Sequence, residues 1–133
     1  MSQQYTACVS GGLTSVGTSY STGKRASVSV SFSLRSYFLS KLQSIQIDIS
    51  NRSGGSTPTS VSVQISSDAN GDEIILPDTS ATIAAGVTTA LSGGAVIAVD
   101  TVLYSASETL YIFVKGNSGT MDVDSITLNI ENN

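Results

Sequence analysis

Every second residue of Ala26-Ser27-Val28-Ser29-Val30-Ser31-Phe32-Ser33-Leu34 is apolar, and every residue between them is Ser. A strand sends successive side chains to opposite faces, so this run has one face to bury and one to expose. On a helix the same apolar residues would scatter around the whole cylinder. The pattern recurs in Ile45-Gln46-Ile47-Asp48-Ile49, in Val61-Ser62-Val63-Gln64-Ile65 and in Ile126-Thr127-Leu128-Asn129-Ile130.

Turn chemistry separates these runs: Asn51-Arg52-Ser53-Gly54-Gly55, Asp68-Ala69-Asn70-Gly71-Asp72, Ser92-Gly93-Gly94 and Gly116-Asn117-Ser118-Gly119. About eight short strands with Gly-rich turns predict an all-β fold, an antiparallel β-sandwich of jelly-roll topology. The wide spacing from Leu76 through Leu91 fits crossing connections better than a meander. Residues 79–91 read as loop or irregular strand rather than a helical turn. With no linker and no repeat, residues 1–133 are expected to form one domain, residues 1–25 being a partly extended arm.

Two local features refine this. Met121 and Val123 are apolar at odd positions, whereas Ile126, Leu128 and Ile130 are even. The parity slips between Asp124 and Ser125, which predicts a β-bulge or strand bend there. Leu110-Tyr111-Ile112-Phe113-Val114 is apolar on both faces, as in a central strand covered on both sides or one at an oligomer contact. Ala95-Val96-Ile97-Ala98-Val99 is similar with smaller side chains.

Charge is scarce and uneven. Residues 1–47 hold Lys24, Arg25, Arg35 and Lys41 and no acid, whereas the rest holds two cations against ten acids. The net charge of −4 argues against nucleic acid as a partner, because phosphate neutralisation needs clustered Lys and Arg. No run approaches the roughly 20 apolar residues of a membrane-spanning helix. Met1-Ser2-Gln3-Gln4 has neither a basic segment nor an apolar core, so no secretory signal is expected. The one cysteine, Cys8, cannot form an internal disulfide and reads as a buried, inert thiol in a strand.

The chemistry of catalysis is thinly represented. With no His, the chain cannot form Ser–His or Cys–His nucleophile pairs or a His-ligated zinc site. Ten acids permit paired-carboxylate chemistry, but the sequence singles out no pair. The stretch from Gly17 to Arg25 fails as a phosphate loop, because five residues separate its glycines and Arg25 stands where Ser or Thr should reach magnesium. No enzymatic role is expected.

Asp68-Ala69-Asn70-Gly71-Asp72-Glu73 has two readings. One is a hairpin turn in which Asn70-Gly71 supplies positive φ. The other is a Ca²⁺ site built on Asp68, Asn70 and Asp72, since that cation takes six to eight oxygens. Asp122 and Asp124 would join it only if the fold brings them close. Asn51-Arg52-Ser53 matches a glycosylation sequon, read as accidental. Tyr20, Tyr37, Tyr104 and Tyr111 offer stacking surface for sugar or cover for the core edge.

The outward positions carry Ser, Thr and Gln where a free-standing sheet usually carries Lys and Glu, consistent with 25 Ser and 14 Thr in the chain. Ordering a Ser at an interface loses less rotamer entropy than ordering a Lys or Glu, and such faces lack the charges that oppose edge pairing. Both effects suit a protein that lives in an assembly.

The Ser-alternating strands, the Gly-Asn-Ser-Gly turn and the ending Met121-Asp122-Val123-Asp124-Ser125-Ile126-Thr127-Leu128 resemble small jelly-roll cement or decoration proteins of bacteriophage capsids. The ending is also similar to the closing strands of sandwich-type carbohydrate-binding modules, although the exposed Trp common there is absent. The first resemblance implies a virion structural protein on the capsid surface, made in the host cytoplasm. Its expected partners are a major capsid protein and further copies of itself, as trimer or dimer. Lys24, Arg25, Arg35 and Lys41 are the expected contact with an acidic partner. The second implies a carbohydrate- or receptor-binding module with structural calcium.

Overall fold

The computed structural model describes residues 3–31, 40–53, 58–85, 93–103 and 107–132; over 3–11, 28–31, 100–103, 107–108 and 131–132, among others, it describes the backbone only. Among the described residues nine strands follow in order: β1 (Gln3–Val16), β2 (Arg25–Ser31), β3 (Ser40–Ser53), β4 (Ser60–Ser66), β5 (Ile74–Thr82), β6 (Ala84–Ala85), β7 (Gly93–Leu103), β8 (Ser107–Gly116) and β9 (Thr120–Asn132). A 3-10 turn, Thr22–Lys24, precedes β2.

The strands form two antiparallel sheets, ordered β1-β9-β3-β7-β6 and β2-β8-β4-β5. Leaving aside the two-residue β6, the pairs β1–β9, β2–β8, β3–β7 and β4–β5 nest within one another along the chain. That is one long hairpin rolled up, alternate pairs falling in alternate sheets, which is the jelly-roll winding expected from the sequence. Within the stretch expected to form a partly extended arm, Gln3–Val16 is an edge strand of the larger sheet, in register with β9 from Asn132 to Met121.

The core lies between the sheets. Leu42, Ile45, Ile47 and Ile49 of β3 meet Met121, Val123, Ile126, Leu128 and Ile130 of β9 on one side. Val61, Val63 and Ile65 of β4, with Leu110, Ile112 and Val114 of β8, face them from the other. Each fully buried Ile or Leu favours folding by about 1.5–3 kcal/mol relative to exposure. The Ser-alternating run lies in β2 as far as Ser31, with Ala26 buried and Ser27 exposed. The side chains of Val28 and Val30, and all of Phe32 and Leu34, fall outside the described residues.

The parity slip in β9 is a bulge. Asp48 pairs with Ser125 and Ile49 with Val123, leaving Asp124 as the extra residue. Both Asp124 and Ser125 thereby point away from the core while Val123 and Ile126 stay in it. β1 loses register at the same level, between Ser10 and Leu13. Gly12 there has φ +28, and a Cβ on it would lie 1.5 Å from the Val123 carbonyl oxygen, so only glycine fits this approach.

Two expected turns are strand instead. Gly93 and Gly94 open β7, paired to Ile49 and Asp48 on one side and to Ala85 and Ala84 on the other. Neighbours on both flanks override the local turn preference of a Gly pair. β3 likewise runs on through Asn51 and Arg52 to Ser53, with an irregular register after Ser50.

Candidate functional site

Two outward sheet faces carry the polar chemistry. On the larger sheet, β3 and β9 put Ser44, Gln46, Asp48 and Ser50 beside Asp122, Asp124, Ser125, Thr127 and Asn129. Side chains join across the strands. Asn129 Nδ2 donates to Ser44 Oγ at 2.8 Å, Ser125 Oγ to Asp48 Oδ2 at 2.7 Å and Ser50 Oγ to Asp124 Oδ1 at 2.8 Å. The bulge makes this possible, because it turns Asp124 and Ser125 outward together.

Asp122 closes the row at one end. Its Oδ1 accepts the Ser15 amide at 2.9 Å and its Oδ2 accepts Asn51 Nδ2 at 2.8 Å. One carboxylate thus ties β9 to both of its neighbours. Ser15 and Asn51 both have φ 51, in the left-handed region non-Gly residues seldom adopt. The Asn51 amide, the Ser15 amide and the nearby Lys24 charge hold the Asp122 carboxyl below its ordinary range. The sequon asparagine therefore has a structural role in place.

The smaller sheet has a different outer face. Tyr20, from the connection between β1 and β2, reaches across it and donates its hydroxyl to Asp78 of β5. Lys115 Nζ lies over the Tyr20 ring, 4.6 Å from its centre. Burial, and then the Asp78 carboxylate, push the Tyr20 phenol well above its ordinary value. The Arg25 guanidinium lies over the Tyr111 ring at 5.6 Å. Tyr37 and Tyr104 lie outside the described residues.

Phe113 sits on this face too, only 3% exposed and outside the core cluster. Its cover comes from the same chain: a Cβ on Gly71, in the β4–β5 hairpin, would lie 3.3 Å from Phe113 Cζ. The doubly apolar strand is therefore covered by its own hairpin at Phe113, and that residue calls for no neighbouring chain.

The hairpin itself is organised by Asp68. Its Oδ1 accepts the Glu73 amide at 2.7 Å and Ser66 Oγ at 2.9 Å, and its Oδ2 accepts the Asn70 amide at 3.1 Å. These donors, the Glu73 amide first, hold its carboxyl below the ordinary range. Gly71, at φ 83, supplies the positive φ expected of the turn. The Asn70 and Asp72 side chains are exposed. Among the described residues no three acids or cysteines come together as metal ligands. Asp122 and Asp124 belong to the other sheet and do not join Asp68.

Of the four cations expected to form one contact, Lys24 and Lys41 stand at opposite ends of β9. Lys24 Nζ donates to the Thr14 carbonyl at 2.6 Å, near the level where β1 meets Met121 and Val123. Lys41 pairs with Glu131, at the other end of β9. At about 3.3 Å per residue, that places the two roughly 25–30 Å apart. Arg35 lies outside the described residues. Cys8 stands opposite Thr127 in the β1–β9 register, and its side chain is likewise outside them. What sequence reasoning missed is the Asp122 hub, whose only local signal was the short polar spacing Asp122-Val123-Asp124-Ser125.

No protein-family model matches this chain. No curated protein sequence matches it either. Among solved structures it is similar to an exo-β-1,3-galactanase from Phanerochaete chrysosporium with galactose, at 13% identity and a TM-score of 0.39. It is also similar to an isomalto-dextranase from Arthrobacter globiformis complexed with panose, at 15% identity and a TM-score of 0.40. Each likeness covers 96% of this chain but only 29% and 23% of the respective enzyme, so the chain spans less than a third of either.

Proposed function

We propose that this chain is a non-enzymatic attachment module that decorates and stabilises a larger protein shell, a bacteriophage capsid in the reading its sequence resemblance implies. It docks through the outer face of the larger sheet. The observation that carries this is the cross-strand row Asn129–Ser44, Ser125–Asp48, Ser50–Asp124 and Asn51–Asp122. Short side chains already held in one geometry lose little further entropy on binding, so a polar face of this kind can dock without ordering long flexible groups. Its three carboxylates favour a basic or amide-rich partner surface.

The same row supports a second reading, a carbohydrate- or receptor-binding module. Hydroxyl, amide and carboxylate groups side by side are the groups that hydrogen-bond sugar hydroxyls. Sedimentation of the purified chain with capsids isolated without it, alongside binding to a panel of immobilised glycans, separates the two. Capsid-bound protein with no glycan signal supports attachment. Glycan binding with none on capsids replaces it with the second reading.

A further inference from the structure

We infer that the free edge of β1 is a self-association site, where a second copy of this chain adds its own β1 in antiparallel fashion and joins two sandwiches into one continuous sheet. β1 ends the larger sheet, so among the described residues its far side has no strand partner. An open edge presents unpaired backbone N–H and C=O groups, and sheets usually protect it with charges, Pro, bulges or short length.

The other three edges carry such devices. Among the described residues β6 is two residues long, β5 holds Pro77 and Asp78, and β2 begins with the charged Arg25 and is half as long as β1. β1 is fourteen residues long, and from Gln3 to Val16 it contains no Asp, Glu, Lys, Arg or Pro. Its register with β9 is unbroken from Gln3 to Ser10, the irregularities falling after Ser10. That leaves a regular edge of roughly 26 Å at about 3.3 Å per residue.

Charge decides the occupant. In a two-fold antiparallel pairing, each β1 residue faces a β1 residue of the other copy, so any charge near the axis would meet its like. An uncharged strand is self-complementary in this respect. Three protected edges and one unprotected edge select where the contact forms, and the two-fold closes it at a dimer. This inference concerns an edge, not the docking face, and stands or falls separately from the attachment reading.

The test is the solution mass of the full chain by sedimentation velocity over a dilution series, beside two double variants. Thr6→Lys with Ser10→Lys places charges on β1 at positions in register with Asn129 and Ser125. Ser80→Lys with Thr82→Lys places them at exposed positions of β5. The expected result is a wild-type mass twice 13.6 kDa that falls on dilution, a monomeric β1 variant and a dimeric β5 variant. A wild type that stays monomeric at every concentration, or a β1 variant that still dimerises, overturns the inference. Should the β1 variant fail to fold, hydrogen exchange on the wild type decides. Amides of residues 3–10 that gain protection as concentration rises support the edge contact, and concentration-independent exchange there rejects it.

Discussion

Asn51 Nδ2 donates to Asp122 Oδ2 at 2.8 Å, joining β3 to β9 where Asn51 itself is held at φ 51. The conformation and the contact depend on each other. The left-handed turn aims the amide across the sheet, and the carboxylate holds the residue in it. Asn tolerates this region better than a β-branched residue does. Asn51→Val should lower stability by about 1–2 kcal/mol through backbone strain alone. Asn51→Gly should keep the backbone and lose only the contact. Chemical denaturation of both should rank Val below Gly.

Acid should weaken the fold through two carboxylates. Asp122 and Asp68 both have folded values below the ordinary range, through the Asn51 amide and the Glu73 amide respectively. A depressed folded value gives stability that is present above the unfolded value, about 3.9, and lost as pH falls through the folded one. The melting temperature should therefore drop below about pH 4. Asp122→Asn should start lower at neutral pH and lose less on acidification.

The Tyr20 phenol runs the opposite way. Its folded value is raised by burial and by Asp78, so stability present below the ordinary tyrosine range is lost as pH rises through and above it. In an alkaline absorbance titration its ionisation should fall above the ordinary tyrosine range. Tyr20→Phe should cost about 1 kcal/mol at neutral pH. It should also remove part of the alkaline loss.

Gly12 and Gly17 make a paired test of the bulge. Gly12→Ala puts a methyl against the Val123 carbonyl oxygen at a positive φ and should cost about 2–4 kcal/mol. Gly17→Ala meets nothing within 4 Å and should change stability by no more than about 0.5 kcal/mol. Equal effects would contradict the close approach of β1 to β9.

Much of this fold is visible in side-chain parity. The alternation over Ile45–Ile49, Val61–Ile65 and Ile126–Ile130 marks the strands and their buried faces, and the slip at Asp124 marks the bulge, because both are local to one strand. What parity does not carry is which strand lies beside which. The Asp122 hub joins residues 15, 51 and 122, and the cover on Phe113 comes from Gly71, contacts set by long-range winding. The same winding sends Lys24 and Lys41, close in sequence, to opposite ends of the sheet. Gly93-Gly94 reads as a turn until both flanking strands are known.

The central claim is that the outer face of the larger sheet is the docking surface. Its most direct test is capsid affinity of Gln46→Arg with Thr127→Arg, a pair facing each other in the β3–β9 register, against Ser80→Arg on the other sheet. All three positions point away from the core, so Ser80→Arg should melt near the wild-type temperature and the facing arginines should cost no more than about 1 kcal/mol. Loss of capsid binding by the first variant alone is the predicted result. Binding that survives the paired arginines, or fails equally with Ser80→Arg, contradicts the account.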